Sequence, residues 1–180
     1  MKKAELRFTG SGGQGVILAT IILAEAAYED KKQVAQSQSY GPEARGGLCK
    51  AECIIDEKPI SYTKVGLPNL LLSLTQASLN KYVTDVQDDA IILVDSSIAV
   101  PEEVKAAHKV YSLPILSSAV NTIGNAMSAN IISVGAVNEI LQLATQESLE
   151  AAVLNHIPKG TEELNLKALH LGAELAREQK

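Results

Sequence analysis

The chain has 180 residues, 46% of them hydrophobic, which is enough to close one compact core without disulfide or metal staples. Its net charge of −5 argues against a broad nucleic-acid surface, which needs clustered Lys and Arg to displace counterions from phosphates. With no Trp, one Phe and five Tyr, the core has to be built from Ile, Leu, Val and Ala, as suits buried parallel strands flanked by helices.

Residues 6–9 alternate as a first strand, 10–15 form a glycine-dense turn, and 16–28 are apolar nearly all round. Such a helix has to be covered on several sides, and Ala24, Ala26 and Ala27 permit close packing between the sheet and a further layer, a partner chain being one candidate. The order strand, glycine turn, helix opens a βαβ unit. A second strand fits 33–39, a long loop covers 40–47, and 48–55 alternate again. Asp56-Glu57-Lys58-Pro59 reads as a tight turn into Ile60-Ser61-Tyr62, a β-hairpin added to the core. Short apolar runs at 70–74 and 91–94 suit central strands separated by a helix over 76–83, and 110–113 is a further strand. The remainder is helical: 115–122, a break at Gly124-Asn125, then 131–143, 147–154 and 161–177, with Glu162 and Glu163 suited to a helix N-terminus. The expected fold is a single α/β domain over 1–180, with a mostly parallel sheet flanked by helices, a β-hairpin excursion and a helical C-terminal third.

No apolar run approaches the roughly 20 residues of a bilayer span, and the start leads directly into a strand without a signal-peptide core, so a cytoplasmic protein with no membrane contact is expected. Cys49 and Cys53 lie in one strand, where four residues span about 13 Å, too far for a disulfide. Two thiols without paired His cannot make a zinc site or supply the four thiolates of an ordinary iron–sulfur cluster. Buried free thiols are expected, and no metal site.

Gly10-Ser11-Gly12-Gly13-Gln14-Gly15 satisfies G-x-G-x-x-G between a strand and a helix, where backbone N–H groups and the helix dipole can cradle a phosphate. The same glycines are equally explained by a tight turn and close helix–strand contact. A dinucleotide site also needs an acid at the end of the second strand; that strand ends in Gln38-Ser39-Tyr40, and Glu29 and Asp30 precede it. Val16 and Ile17 after Gly15 exclude a P-loop. No nucleophile elbow is present, His108, His156 and His170 read as solvated, and no catalytic residue is assigned.

The segment Tyr40-Gly41-Pro42-Glu43-Ala44-Arg45-Gly46-Gly47 is the most informative stretch. An exposed Arg between glycines gains little unless something docks there: Arg45 can bind a phosphate or carboxylate bidentately, Glu43 could orient it, and the glycines permit close approach. A local Glu43–Arg45 pair on a solvated loop is the alternative.

The glycine turn, the Ala-rich helix and the Ser39–Gly47 stretch, in that order and separation, closely resemble the gamma subunits of 2-oxoacid:acceptor oxidoreductases. The resemblance extends through Pro68-Asn69-Leu70-Leu71-Leu72-Ser73-Leu74, Val94-Asp95-Ser96-Ser97, Asn130 with Gly135, and Glu163-Leu164-Asn165-Leu166-Lys167-Ala168, nearly the whole chain. It implies a multi-subunit enzyme in which alpha and beta chains supply the thiamine diphosphate site with its Mg²⁺, and iron–sulfur clusters sit on beta or a small delta chain. The isolated gamma chain then carries no cofactor. The implied reaction converts a 2-oxoacid, coenzyme A and oxidised ferredoxin or flavodoxin to acyl-CoA, carbon dioxide and the reduced carrier. The resemblance makes the glycine turn (Gly10, Ser11, Gly12, Gly13, Gln14, Gly15) and the loop residues Tyr40, Gly41, Pro42, Glu43, Arg45, Gly46 and Gly47 candidates for coenzyme A or for the subunit seam. The loop form is closer to 2-oxoglutarate enzymes than to pyruvate ones. Two other readings stay open: a stand-alone nucleotide-binding oxidoreductase, and a purely structural interaction module.

Overall fold

The computed structural model describes residues 3–39 and 47–180. Six strands, β1 (Ala4–Ser11), β2 (Gln33–Ser39), β3 (Leu48–Asp56), β4 (Leu70–Ser73), β5 (Ile91–Asp95) and β6 (Lys109–Leu113), form one sheet in the order β2-β3-β1-β4-β5-β6. β1, β4, β5 and β6 are parallel, whereas β3 runs antiparallel to both β1 and β2. Helix α1 (Val16–Glu29) carries the chain from β1 to β2, so β2 runs in the direction of β1, and β3 returns between them. The other helices are α2 (Gln76–Tyr82), α3 (Glu102–Ala107), α4 (Ile115–Ser118), α5 (Ala129–Leu141), α6 (Gln146–His156) and α7 (Glu162–Arg177). α4 runs on into a π-helical turn (Ala119–Ile123) that stops at Gly124, φ 80°, the expected break.

The antiparallel excursion is β2 with β3, and the hairpin expected at 56–59 is corrected: residues 60–62 are not strand. Both edges of β3 are already filled, by β1 and β2, so the segment after Asp56 has no edge to join. It crosses instead over one face of the sheet, where Val65 is buried.

Alternation along each strand divides two layers. Leu6, Phe8, Leu70, Leu72, Leu93, Tyr111 and Leu113 face α1, α5, α6 and α7, while Leu71, Ile92 and Val94 pack with Leu79 of α2 and Val104 of α3. Most of the apolar surface of α1 is covered within the chain, where its buried residues share the core with α5, α6 and the sheet, while Ile17 and Ile21 stay half-buried and Tyr28 exposed. α5 and α7 cross at glycines: a Cβ on Gly135 would stand 2.0 Å from the Leu169 carbonyl oxygen, and one on Gly172 1.9 Å from that of Ile132.

On the α2 face, β1 and β3 carry polar residues instead of a hydrophobic layer. Arg7, 3% exposed, donates from Nε to Glu52 at 2.8 Å, from Nη1 to the Asp85 carboxylate at 2.9 Å and carbonyl at 3.0 Å, and from Nη2 to the Gly66 carbonyl at 3.0 Å. Its guanidinium lies over the Tyr82 ring. This one side chain thus ties the sheet to the two loops that cover it.

Candidate functional site at the carboxyl end of the sheet

β1 neighbours the antiparallel β3 on one side and the parallel β4 on the other, and the chain after β1 rises into the glycine turn at this point of changing connection, where open α/β sheets place their ligand crevice. The turn is closed by its own residues. The Ser11 N–H donates to Gln14 Oε1 at 2.7 Å, and the Gln14 N–H to the Ser11 carbonyl at 3.2 Å. Gly13 (φ 94°) and Gly15 (φ 71°) occupy the left-handed region. A Cβ on Gly10 would meet Gln14 Oε1 at 2.4 Å, and one on Gly15 would meet Asn130 Nδ2 at 2.6 Å. Close packing therefore explains these glycines in part.

It does not explain the helix end. α1 begins at Gly15 with no side-chain cap and no acid in its first turn, so the N–H groups of that turn have no intrahelical partner. α2 and α6 are capped by Thr75 and Thr145, and α7 carries Glu162 and Glu163 in its first turn, whereas α5, like α1, has neither a side-chain cap nor a first-turn acid. An uncapped, positive helix terminus beside a backbone turn is an oxyanion cradle. The contact of Gly15 with Asn130 brings the start of α5 alongside, where the Ser128 hydroxyl is buried without a partner. Asn130 and Gly135 are thereby given distinct roles, one at the turn and one at the α5–α7 crossing.

The second motif meets the first. The Gly12 N–H donates to the Gly47 carbonyl at 3.2 Å, so the end of the 40–47 loop is hydrogen-bonded to the glycine turn. Tyr40, Gly41, Pro42, Glu43, Ala44, Arg45 and Gly46 lie outside the described residues. Where the loop departs, Ser37, Gln38, Lys50, Glu52 and Lys64 line a cavity of about 330 Å³. Lys50 stands 3.2 Å from Glu52, which also receives Arg7. The alternation of β3 gave no reason to single out Lys50, because the cavity it lines also draws on Ser37, Gln38 and Lys64 from other segments.

Asp30 serves no ribose. Its carboxylate accepts from the Thr145 N–H at 2.5 Å, the Thr145 hydroxyl at 3.0 Å and the Ser148 hydroxyl at 2.5 Å, at the start of α6. Burial pushes its pKa up, but these hydrogen bonds outweigh burial and hold it below the usual carboxylate range. Asp95 is likewise structural, accepting from the Ser97 N–H and hydroxyl and capping Leu116.

The expectation of solvated histidines holds for the exposed His170 and is corrected for His108 and His156. His156 is half-buried, 2.6 Å from Glu25, and His170 is 2.8 Å from Glu150, so both join α6 to its neighbours; His108 Nδ1 is buried without a partner. Cys49 and Cys53 are free and buried, and burial pushes the Cys53 thiol up to about 12, which disfavours the thiolate a metal requires. Among the described residues no group of three or more His, Cys, Asp or Glu could hold a metal ion, and no helix is long and apolar enough to cross a membrane.

Residues 5–175 match the pyruvate ferredoxin/flavodoxin oxidoreductase family. The 2-oxoglutarate synthase subunit KorC of Methanocaldococcus jannaschii is 40% identical over 178 residues, 98% of this chain and 95% of that protein. The pyruvate/ketoisovalerate oxidoreductases common subunit gamma of Pyrococcus abyssi is 33% identical over 91% of this chain and 92% of its own. Among solved structures, the gamma subunit of a keto/oxoacid ferredoxin oxidoreductase from Geobacter sulfurreducens superposes with a TM-score of 0.89 at 39% identity, covering 100% of this chain and 99% of that one. The 2-oxoglutarate:ferredoxin oxidoreductase of Magnetococcus marinus contains the same fold within a longer chain, 32% of which is covered, at TM-score 0.89 and 17% identity. By sequence along nearly its whole length and by fold, the chain belongs to the pyruvate ferredoxin/flavodoxin oxidoreductase family, as a subunit of the gamma type.

Proposed function

We propose that the chain is the gamma subunit of a thiamine-dependent 2-oxoglutarate:ferredoxin oxidoreductase and that its glycine turn and 40–47 loop hold the phosphates of coenzyme A at the seam with partner chains. The observation that carries this is the uncapped start of α1, bonded through Gly12 and Gly47 to the arginine-bearing loop. In support, 2-oxoglutarate synthase subunits align end to end with this chain, and the Magnetococcus enzyme that shares the fold was solved with 2-oxoglutarate, coenzyme A and succinyl-CoA bound.

Thiamine diphosphate with Mg²⁺, and the iron–sulfur clusters, belong in this reading to alpha, beta and delta partners, with ferredoxin or flavodoxin as acceptor. Thiamine, when bound there, supplies the carbanion chemistry that decarboxylates the 2-oxoacid. This chain contributes electrostatics and shape. Its N–H groups offset phosphate charge, Arg45 adds a bidentate cation, and the glycines let the ligand approach backbone. A cytoplasmic location fits the two free thiols.

The stand-alone oxidoreductase is disfavoured by the end of β2, where Gln38 and Ser39 offer no carboxylate for ribose hydroxyls and Asp30 is committed to α6. Reconstitution tests the assignment: the chain combined with its thiamine-binding partners should give coenzyme A-dependent ferredoxin reduction with 2-oxoglutarate, and the chain alone should bind no thiamine and oxidise nothing with NAD(P). Turnover by the lone chain would sink the assignment.

A further inference from the structure

Below the glycine turn, on the polar face of the sheet, lies the cavity lined by Ser37, Gln38, Lys50, Glu52 and Lys64. Where a nucleotide sits on a glycine turn after the first strand of an open α/β sheet, its ribose falls at the end of the strand flanking β1 on the side away from β4. An acid there takes free ribose hydroxyls, and a cation takes a ribose phosphate. In this chain the flanking strand is β3, and because it is antiparallel its first residues stand at the ligand end. Leu48 pairs with Ser11 and Lys50 with Thr9, which sets Lys50 about 7 Å down the strand from the row of Ser11 and on the same face. The ribose position is thus held by a lysine.

We propose that Lys50 and Lys64 hold the 3′-phosphate of coenzyme A and make the enzyme select coenzyme A over its dephospho form, an inference that rests on the glycine turn taking the pyrophosphate. Both phosphate groups are carried on one ribose, and one ribose bridges the step from the turn to Lys50. The charge balance favours an anion. Lys50, half-buried, stands 3.2 Å from Glu52, but Glu52 already accepts from Arg7 Nε at 2.8 Å, so Arg7 neutralises the acid and Lys50 is left to attract a ligand. Asp85, the other acid on Arg7, is 57% exposed and screened by solvent. Lys64 reaches the same cavity, of about 330 Å³, from the crossing segment and is exposed, and Ser37 in the row of Glu52 adds a hydroxyl. Two lysines and a hydroxyl around such a space are a phosphate's partners.

The reconstituted complex, assayed with coenzyme A and with dephospho-coenzyme A, tests this. The wild type should prefer coenzyme A by about tenfold or more in kcat/KM, since a site built around a charged group rejects the analogue that lacks it. Lys50→Met and Lys64→Met should each cut that preference by about threefold or more, through a higher KM for coenzyme A. Lys64 is exposed, so its variant folds even if Lys50→Met, which leaves Glu52 to Arg7 alone, does not. Ser11→Asp separates this site from the turn, because it should raise the KM for both forms alike. A wild type indifferent to the 3′-phosphate overturns the proposal, as do folded lysine variants that keep the preference, whatever Ser11→Asp does. Lysine variants that weaken subunit assembly with the preference intact overturn it too, assigning the cavity to an acidic side chain of a partner. If the lysine variants lose the preference while Ser11→Asp changes neither KM, the 3′-phosphate site stands and the role of the turn fails.

Discussion

Replacing Arg7 with leucine keeps much of the apolar volume and removes the charge that organises the α2 face. Glu52, 5% exposed, would retain only Lys50 at 3.2 Å, and the carbonyls of Val65, Gly66 and Asp85 would each lose a donor. The Arg7–Asp85 pair adds little, because Asp85 is 57% exposed and solvent screens it. The cost is set by the stranded Glu52, and breaking a buried pair by removing one partner costs about 3–5 kcal/mol. For a domain of this size that corresponds to a Tm lower by roughly 6–20 °C. Urea unfolding followed by circular dichroism at pH 7 measures it directly. The double variant Arg7→Leu with Glu52→Leu should recover part of the loss, since the uncompensated charge is gone. A single variant within about 1 kcal/mol of wild type, or a double variant as unstable as the sum of the singles, would show that the network does not hold the two loops to the sheet.

Asp30→Asn should cost about 1 kcal/mol through the weakened α6 cap. Because the folded pKa of Asp30 is depressed, its stabilisation is complete above the unfolded carboxylate value and is lost as pH falls through the folded one, so the difference between wild type and Asp30→Asn should shrink below about pH 4 in matched urea titrations. Gly135→Ala should destabilise by about 1–3 kcal/mol despite better helix propensity, because the added Cβ meets the Leu169 backbone; a neutral or stabilising result would mean that α5 and α7 separate freely. Cys53, 0% exposed, should resist iodoacetamide at pH 8 until urea unfolds the chain, and rapid native labelling would contradict its burial.

Most of the architecture was legible because it rests on local signals. The glycine turn between an alternating strand and an apolar helix marks β1–α1, and the short apolar runs at β4 and β5 mark strands buried on both faces. The strand expected at 60–62 failed for a non-local reason: the turn chemistry was sound, since Asp56 Oδ1 accepts the Lys58 N–H, but the edge of β3 it needed was taken by β2. α3 was missed because its six residues bury only Val104, too little periodicity to detect. At the site, the glycine turn and the order of the two motifs were readable, whereas the Gly12–Gly47 bond, the Asn130 contact and the Lys50–Lys64 cavity join residues far apart in sequence. Arg7 illustrates the limit best. In a strand pattern it occupies an ordinary alternate position, and only the fold shows that its face is buried.

In the proposed function the glycine turn receives the phosphates of coenzyme A. Ser11→Asp places a carboxylate at the turn, and Arg45→Ala removes the loop's cation. In the reconstituted complex, each should raise the KM for coenzyme A at least tenfold, as expected for about 1.4 kcal/mol of lost binding, while the KM for 2-oxoglutarate and the assembly of the subunits stay as in wild type. Unchanged coenzyme A kinetics in both variants, with the complex intact, would contradict it and leave the turn a packing device.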